Sequence, residues 1–187
     1  GDASTIDLLA QTAAASKSAV QEAARQSLYS LRSPKVDNSI IAKLSFRMEP
    51  DVKVELIRAV SQRRITNASK VLLKNSKGDN VKVSTESLKA LRGVGGVEDL
   101  PALVDVMIGA ENNTVRSEAE KAVTAIANKK AKGEKTKVIV SRLSTVKDVD
   151  ARCSVLSVLG KIGEESSIGV LRKALTDKNI KVQNTAI

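Results

Sequence analysis

One apolar template, V-x-x-x-A-x-x-A-L-x-x-L, recurs along the chain at near-constant intervals. It is anchored at Val20, Val52, Val83, Val115, Ala151 and Val182, with spacings of 32, 31, 32, 36 and 31 residues. Its apolar positions, offsets 0, 4, 7, 8 and 11 from the anchor, trace one stripe of a helix of period 3.6. Offset 8 reads Leu28, Val60, Leu91, Val123 and Leu159. Offset 4 reads Ala24, Leu56, Ser87, Ala119, Val155 and Ala186, and offset 11 reads Leu31, Arg63, Val94, Ile126 and Ile162. At offsets 4, 8 and 11, Ser87 and Arg63 are the polar exceptions. Repetition at a fixed period points to a stacked array, because a single unit of this size cannot bury its own apolar face.

A shorter apolar stretch precedes each template, as in 6–10, 40–44, 71–73, 100–108, 138–143 and 168–175. Turn residues separate the two: Pro34 and Pro50 near two junctions, then Asp79-Asn80, Asn112-Asn113, Asp148 and Asp177-Lys178-Asn179. Asn and Asp at these places suit helix N-caps. Gly93, Gly95, Gly96, Gly160 and Gly163 fall near the ends of long helices, where a left-handed C-cap is expected. The predicted unit is therefore helix–turn–helix. The expected units span roughly 4–32, 36–64, 66–95, 97–128, 134–163 and 165–187, as a single array over 1–187 with the last unit truncated. The chain opens on Gly1 and stops in mid-pattern at Ile187, so it is expected to be a fragment of a longer one.

The segments Asn113-Thr-Val-Arg-Ser-Glu-Ala-Glu-Lys-Ala-Val123 and Asp150-Ala-Arg-Cys-Ser-Val-Leu-Ser-Val-Leu-Gly160-Lys-Ile-Gly163 resemble the HEAT-repeat family in its short, phycobilisome-lyase-like form. The first-helix segment Asp99-Leu-Pro-Ala-Leu-Val-Asp-Val-Met107 is similar to it as well. The resemblance covers nearly the whole chain. It implies an all-α, right-handed α-α superhelix of the HEAT/armadillo solenoid type, with the second helix of each unit lining a concave face. The family's basic residue after the anchor stands here as Lys53, Arg116 and Arg152, and is replaced by Gln21, Ser84 and Gln183. The resemblance also implies that such arrays sit within larger multidomain bacterial chains, some of them enzymes.

If offsets 0, 4, 7, 8 and 11 are buried, offsets 3 and 6 are expected to face outward. Three successive units carry an acid and a base there: Glu55 and Arg58, Glu86 and Lys89, Glu118 and Lys121. These six are the candidate partner-binding residues of the concave face. The plain alternative is a solvated helix face with ordinary i,i+3 pairs. The long interval of 36 residues holds a lysine cluster, Lys129, Lys130, Lys132, Lys135 and Lys137. That is a candidate polyanion loop or, more plainly, a solvated insertion.

Composition narrows the function classes. The chain has no His, Trp or internal disulfide partner, since Cys153 is its one cysteine. An imidazole base, a Ser-His-Asp triad and a Cys-based zinc site are thereby excluded within these residues. No catalytic residue, metal site or cofactor is expected, and Cys153 reads as a structural thiol. With one Tyr and one Phe there is no aromatic platform for stacking bases. The net charge of +10 is spread as +1 over 1–50, +4 over 51–100, +2 over 101–150 and +3 over 151–187. No apolar run reaches the roughly 18 residues a membrane helix needs. The expected function is a non-enzymatic scaffold for a protein partner or an adjacent domain. One alternative is a nucleic-acid or polyanion binder acting through basic surface. Another is an accessory domain of an enzyme whose catalytic module lies outside these residues.

Overall fold

The computed structural model describes residues 3–15, 19–33, 35–129 and 136–187. Its regular structure is α-helical throughout, with three short 3-10 turns. Among the described residues, twelve α-helices follow one another as six pairs. They are α1 (Ile6–Ala15), α2 (Ala19–Ser30), α3 (Val36–Leu44), α4 (Pro50–Arg63), α5 (Ser69–Ser76) and α6 (Val81–Val94), then α7 (Leu100–Gly109), α8 (Asn113–Ala127), α9 (Lys137–Leu143), α10 (Val149–Ile162), α11 (Glu165–Ala174) and α12 (Ile180–Thr185). The chain divides into two compact units, Gly1–Gly95 and Gly96–Ile187.

Each unit has two helical layers. In the N-terminal unit the second helices α2, α4 and α6 pack side by side, and α3 packs on α5 beneath them. In the C-terminal unit α8, α10 and α12 form the corresponding row, with α7 against α9. The template residues make the core. Leu28, Val60, Leu91, Val123 and Leu159 are all fully buried, as are Leu56, Ala119 and Val155. Buried Ser87 keeps its hydroxyl satisfied by donating to Val83 O at 2.8 Å, so a polar residue sits in the stripe without an orphaned group. Val20, expected in the stripe, is exposed, unlike the corresponding Val83, Val115, Ala151 and Val182.

Turn chemistry sets the second helices. Asn80, Asn112, Asp148 and Asn179 each accept from backbone N–H groups at the start of α6, α8, α10 and α12. α4 instead starts with Pro50, whose fixed φ suits the first helical position. The residue after the anchor then locks the local turn in four units, while Arg152 reaches forward to Asp177. Gln21 donates to Ala13 O (2.8 Å), Ser84 to Gly78 O (2.8 Å) and Gln183 to Asp177 O (2.6 Å), and Arg116 donates to Ala110 O. Lys53 reaches Asn75 Oδ1 at 3.3 Å, and Asn75 in turn donates to Leu44 O. Neutral Gln21, Ser84 and Gln183 thus hold the same kind of carbonyl that Arg116 holds.

Of the glycines expected at left-handed C-caps, Gly163 takes that conformation, and the other left-handed cap falls on Arg64. Among the described residues only Gly163 and Arg64 have positive φ, at 65° and 55°. Gly95 and Gly96 are extended. Arg64 closes α4 in a Schellman motif: its N–H bonds Ser61 O, the Ile65 N–H bonds Val60 O, and the Ile65 side chain is buried behind it. A Cβ in this region is strained, and Arg64 is itself exposed. Arg64→Gly is therefore expected to stabilise the protein by about 0.5–1 kcal/mol, the relief of strain exceeding the added chain entropy. Thermal unfolding followed by circular dichroism checks this, and a lower midpoint than wild type would contradict it.

The charged face of the second helices

The second helices carry a ladder of ion pairs, and it is built differently from a row of outward-facing pairs. In the N-terminal unit, Arg25 of α2 forks onto Glu55 of α4, with Nη2 to Oε1 at 2.6 Å and Nε to Oε2 at 2.8 Å. Arg58 donates from Nη1 to the same Oε1 at 2.8 Å, and its Nε reaches Glu86 Oε1 on α6 at 3.4 Å. Lys89 Nζ meets Glu86 Oε2 at 3.4 Å. Two carboxylates therefore link three adjacent helices. Hydrogen bonding to Glu55 raises the Arg25 pKa, and burial does the same for the neighbouring Tyr29 phenol.

This geometry corrects the outward placement of offset 3. Glu55 is 3% exposed and Glu118 is also buried. The side chains of Glu55, Glu86 and Glu118 are 4%, 17% and 12% exposed, against 33%, 46% and 53% for Arg58, Lys89 and Lys121. Glu55 and Glu86 turn inward because Arg25 and Arg58 draw them against the neighbouring helix. The bases turn outward. In the C-terminal unit the local pair is Lys121 Nζ to Glu118 Oε1 at 2.7 Å. The sequence signal for the inter-helix links is opposite charge one repeat apart, Arg25 to Glu55 and Arg58 to Glu86, rather than within one helix.

Arg63, a polar residue in the apolar stripe, is a clamp. Its Nη1 donates to Tyr29 O (2.8 Å) and Leu31 O (3.0 Å) at the end of α2, and its Nε to Asp37 of α3 (2.7 Å). A cation at a helix C-terminus satisfies the last carbonyls and complements the dipole.

In the C-terminal unit a groove of about 300 Å³ opens across α8, α10 and α12. Its lining includes Asn113, Arg116, Asp150, Ser154, Ser157 and Lys181. Arg116 lies 3.6 Å from Asp148 and 3.9 Å from Asp150, which also pairs with Lys181. Contact with Lys181 holds the Asp150 carboxyl below the usual carboxylate range. Cys153 also lines this groove and packs with Leu156, Ala174 and Val182 in an apolar cluster. Of the lysine loop, Lys130, Lys132 and Lys135 lie outside the described residues. Lys129 follows α8 and Lys137 opens α9. Among the described residues, no three His, Cys, Asp or Glu side chains are grouped to hold a metal, and no helix is long and apolar enough to cross a membrane.

No known protein-family profile matches the chain, and no curated protein matches it by sequence. Solved structures do. An engineered protein of known crystal structure aligns over 97% of this chain and 95% of its own, at 19% identity and a TM-score of 0.54. A computationally designed armadillo repeat protein for modular peptide recognition aligns over 98% and 89%, at 15% identity and a TM-score of 0.50. At these identities the likeness is one of fold. The chain is an all-α helical-repeat protein similar in fold to designed armadillo repeats.

Proposed function

We propose that this chain is a protein-binding repeat scaffold that takes its partner on the layer of second helices. The observation that supports this reading is the split of the ion ladder. Glu55 and Glu86 link neighbouring helices and Glu118 pairs within α8, all three largely buried, while Arg58, Lys89 and Lys121 are the more exposed members of their pairs. The fold is shared with a design made for modular peptide recognition, so an extended peptide is a suitable probe.

Extended peptides selected from a random library are expected to bind, and to lose about tenfold or more in affinity when Arg58→Glu and Lys89→Glu are combined. Lys121→Glu tests the C-terminal unit separately. Lys70→Glu on α5, in the other layer, is expected to leave affinity within about twofold. Circular dichroism checks that each variant is folded. Failure to select any peptide, or equal sensitivity to Lys70→Glu, would overturn the reading.

A further inference from the structure

The groove across α8, α10 and α12 in the C-terminal unit carries a more specific statement, which rests on the scaffold reading above. We infer that it holds the main chain of an uncharged peptide segment, through hydroxyl and amide side chains of α8 and α10. The observation that carries this is Ser154. It is 5% exposed, it lines the groove, and its hydroxyl has no hydrogen-bond partner among the described residues. Buried hydroxyls are ordinarily paired. The other buried serines follow that rule: Ser76, Ser84, Ser87 and Ser167 each donate to a backbone carbonyl. Ser154 is the exception, and the groove is where its Oγ can find a partner. Ser157, one turn further along α10, lines the same groove, with Ser117 and Asn113 of α8. These three side chains also have no hydrogen-bond partner among the described residues.

The charges around these groups select the ligand. The lining holds two cations, Arg116 and Lys181, and two carboxylates, Glu120 and Asp150. All four are already paired. Arg116 lies 3.6 Å from Asp148 and 3.9 Å from Asp150, Asp150 also meets Lys181, and Glu120 lies 3.6 Å from Lys161. An acidic or a basic segment would meet a like charge beside every opposite one. An apolar segment would seal the Ser154 hydroxyl away from water with nothing to bond. A peptide main chain offers N–H donors and C=O acceptors in alternation, and a serine hydroxyl serves either. An asparagine side chain does the same with separate atoms. Among the described residues that line the groove none is aromatic, so a nucleic-acid base has nothing to stack on.

The test uses end-blocked, labelled peptides and fluorescence anisotropy on the full chain. The probe is an uncharged sequence of Gly, Ser and Asn. Three comparison peptides replace Asn by Asp, by Lys or by Leu, and a fourth carries N-methyl groups in place of the backbone N–H. The uncharged probe is expected to bind best and to hold its affinity as salt rises. N-methylation and Ser154→Ala are each expected to weaken it about three- to tenfold, and Ser154→Ala with Ser157→Ala by more than about tenfold. Ser154→Ala removes an unpaired buried group, so its Tm is expected at or above that of wild type, which separates lost binding from lost folding. Ser141→Ala on α9, in the other layer, is the control and is expected to stay within about twofold. Equal binding by wild type and Ser154→Ala overturns the inference and leaves the hydroxyl to ordered water. So does tighter binding of the Asp, Lys or Leu peptide, undiminished binding of the N-methylated probe, or displacement of the probe by millimolar sorbitol. If library-selected peptides bind the second helices but are indifferent to Ser154→Ala, the inference fails while the scaffold reading stands. If no peptide binds, both fail.

Discussion

Replacing Leu91 by alanine is expected to cost about 3–4 kcal/mol of stability. Leu91 is fully buried in α6, which packs on both α4 and α5. Truncation removes three carbons from a core of Leu, Ile, Val and Ala. Collapse around the void is opposed by the polar links that fix the helices beside it: Arg58 to Glu86 joins α4 to α6, and Ser84 ties α6 to its turn. The loss therefore belongs in the middle of the range seen for buried leucines. In a chain of this size that corresponds to a fall of roughly 10 °C in Tm. Leu175→Ala is the control, because Leu175 is exposed, and its effect is expected within about 0.5 kcal/mol. With no tryptophan in the chain, denaturant unfolding followed by far-UV circular dichroism is the measurement. Similar losses in the two variants would show that the α4–α6 core is not packed as described.

Removing the Glu55 carboxylate should be nearly as damaging. In Glu55→Ala the guanidinium groups of Arg25 and Arg58 lose the anion they share, and two cations are left close together. Breaking a buried pair by deleting one partner costs about 3–5 kcal/mol. Arg25 and Arg58 keep some contact with water, which recovers part of that, so the expected loss is about 2–3 kcal/mol. Glu86→Ala is the comparison: its contacts are 3.4 Å long and its partners more exposed. It is expected to cost under about 1 kcal/mol. In the triple replacement Arg25→Met, Glu55→Leu, Arg58→Met, most of the Glu55→Ala loss should be absent, because no charge is stranded. A Glu55→Ala variant as stable as wild type would mean that the ladder is only a surface ornament. It would also weaken the account of why the bases face outward.

The two experiments probe different layers of information. Leu91 is legible in the sequence. It falls at the deepest position of a helical stripe that recurs at 31–36 residue intervals, and the period alone assigns it to the core. The N-caps Asn80, Asn112, Asp148 and Asn179 and the left-handed Gly163 are legible in the same way, since each acts through backbone atoms a few residues away. Local chemistry needs no knowledge of the rest of the chain.

Glu55 is not legible in that way. A helical wheel places it next to the buried stripe but says nothing of what the neighbouring helix presents there. Arg25, thirty residues earlier, draws the carboxylate inward and so reverses the expected exposure of the site. Arg63 looks like a defect in the stripe until the end of α2 is seen to supply two carbonyls for it. Arg64 takes a conformation usual for glycine because Ile65 must be buried behind it. The sequence by itself determined the helical repeat, the core and the turns, because these follow from period and from short-range hydrogen bonding. Only the tertiary structure decided which charges are drawn between helices and which stay exposed, because that depends on pairings across a full repeat.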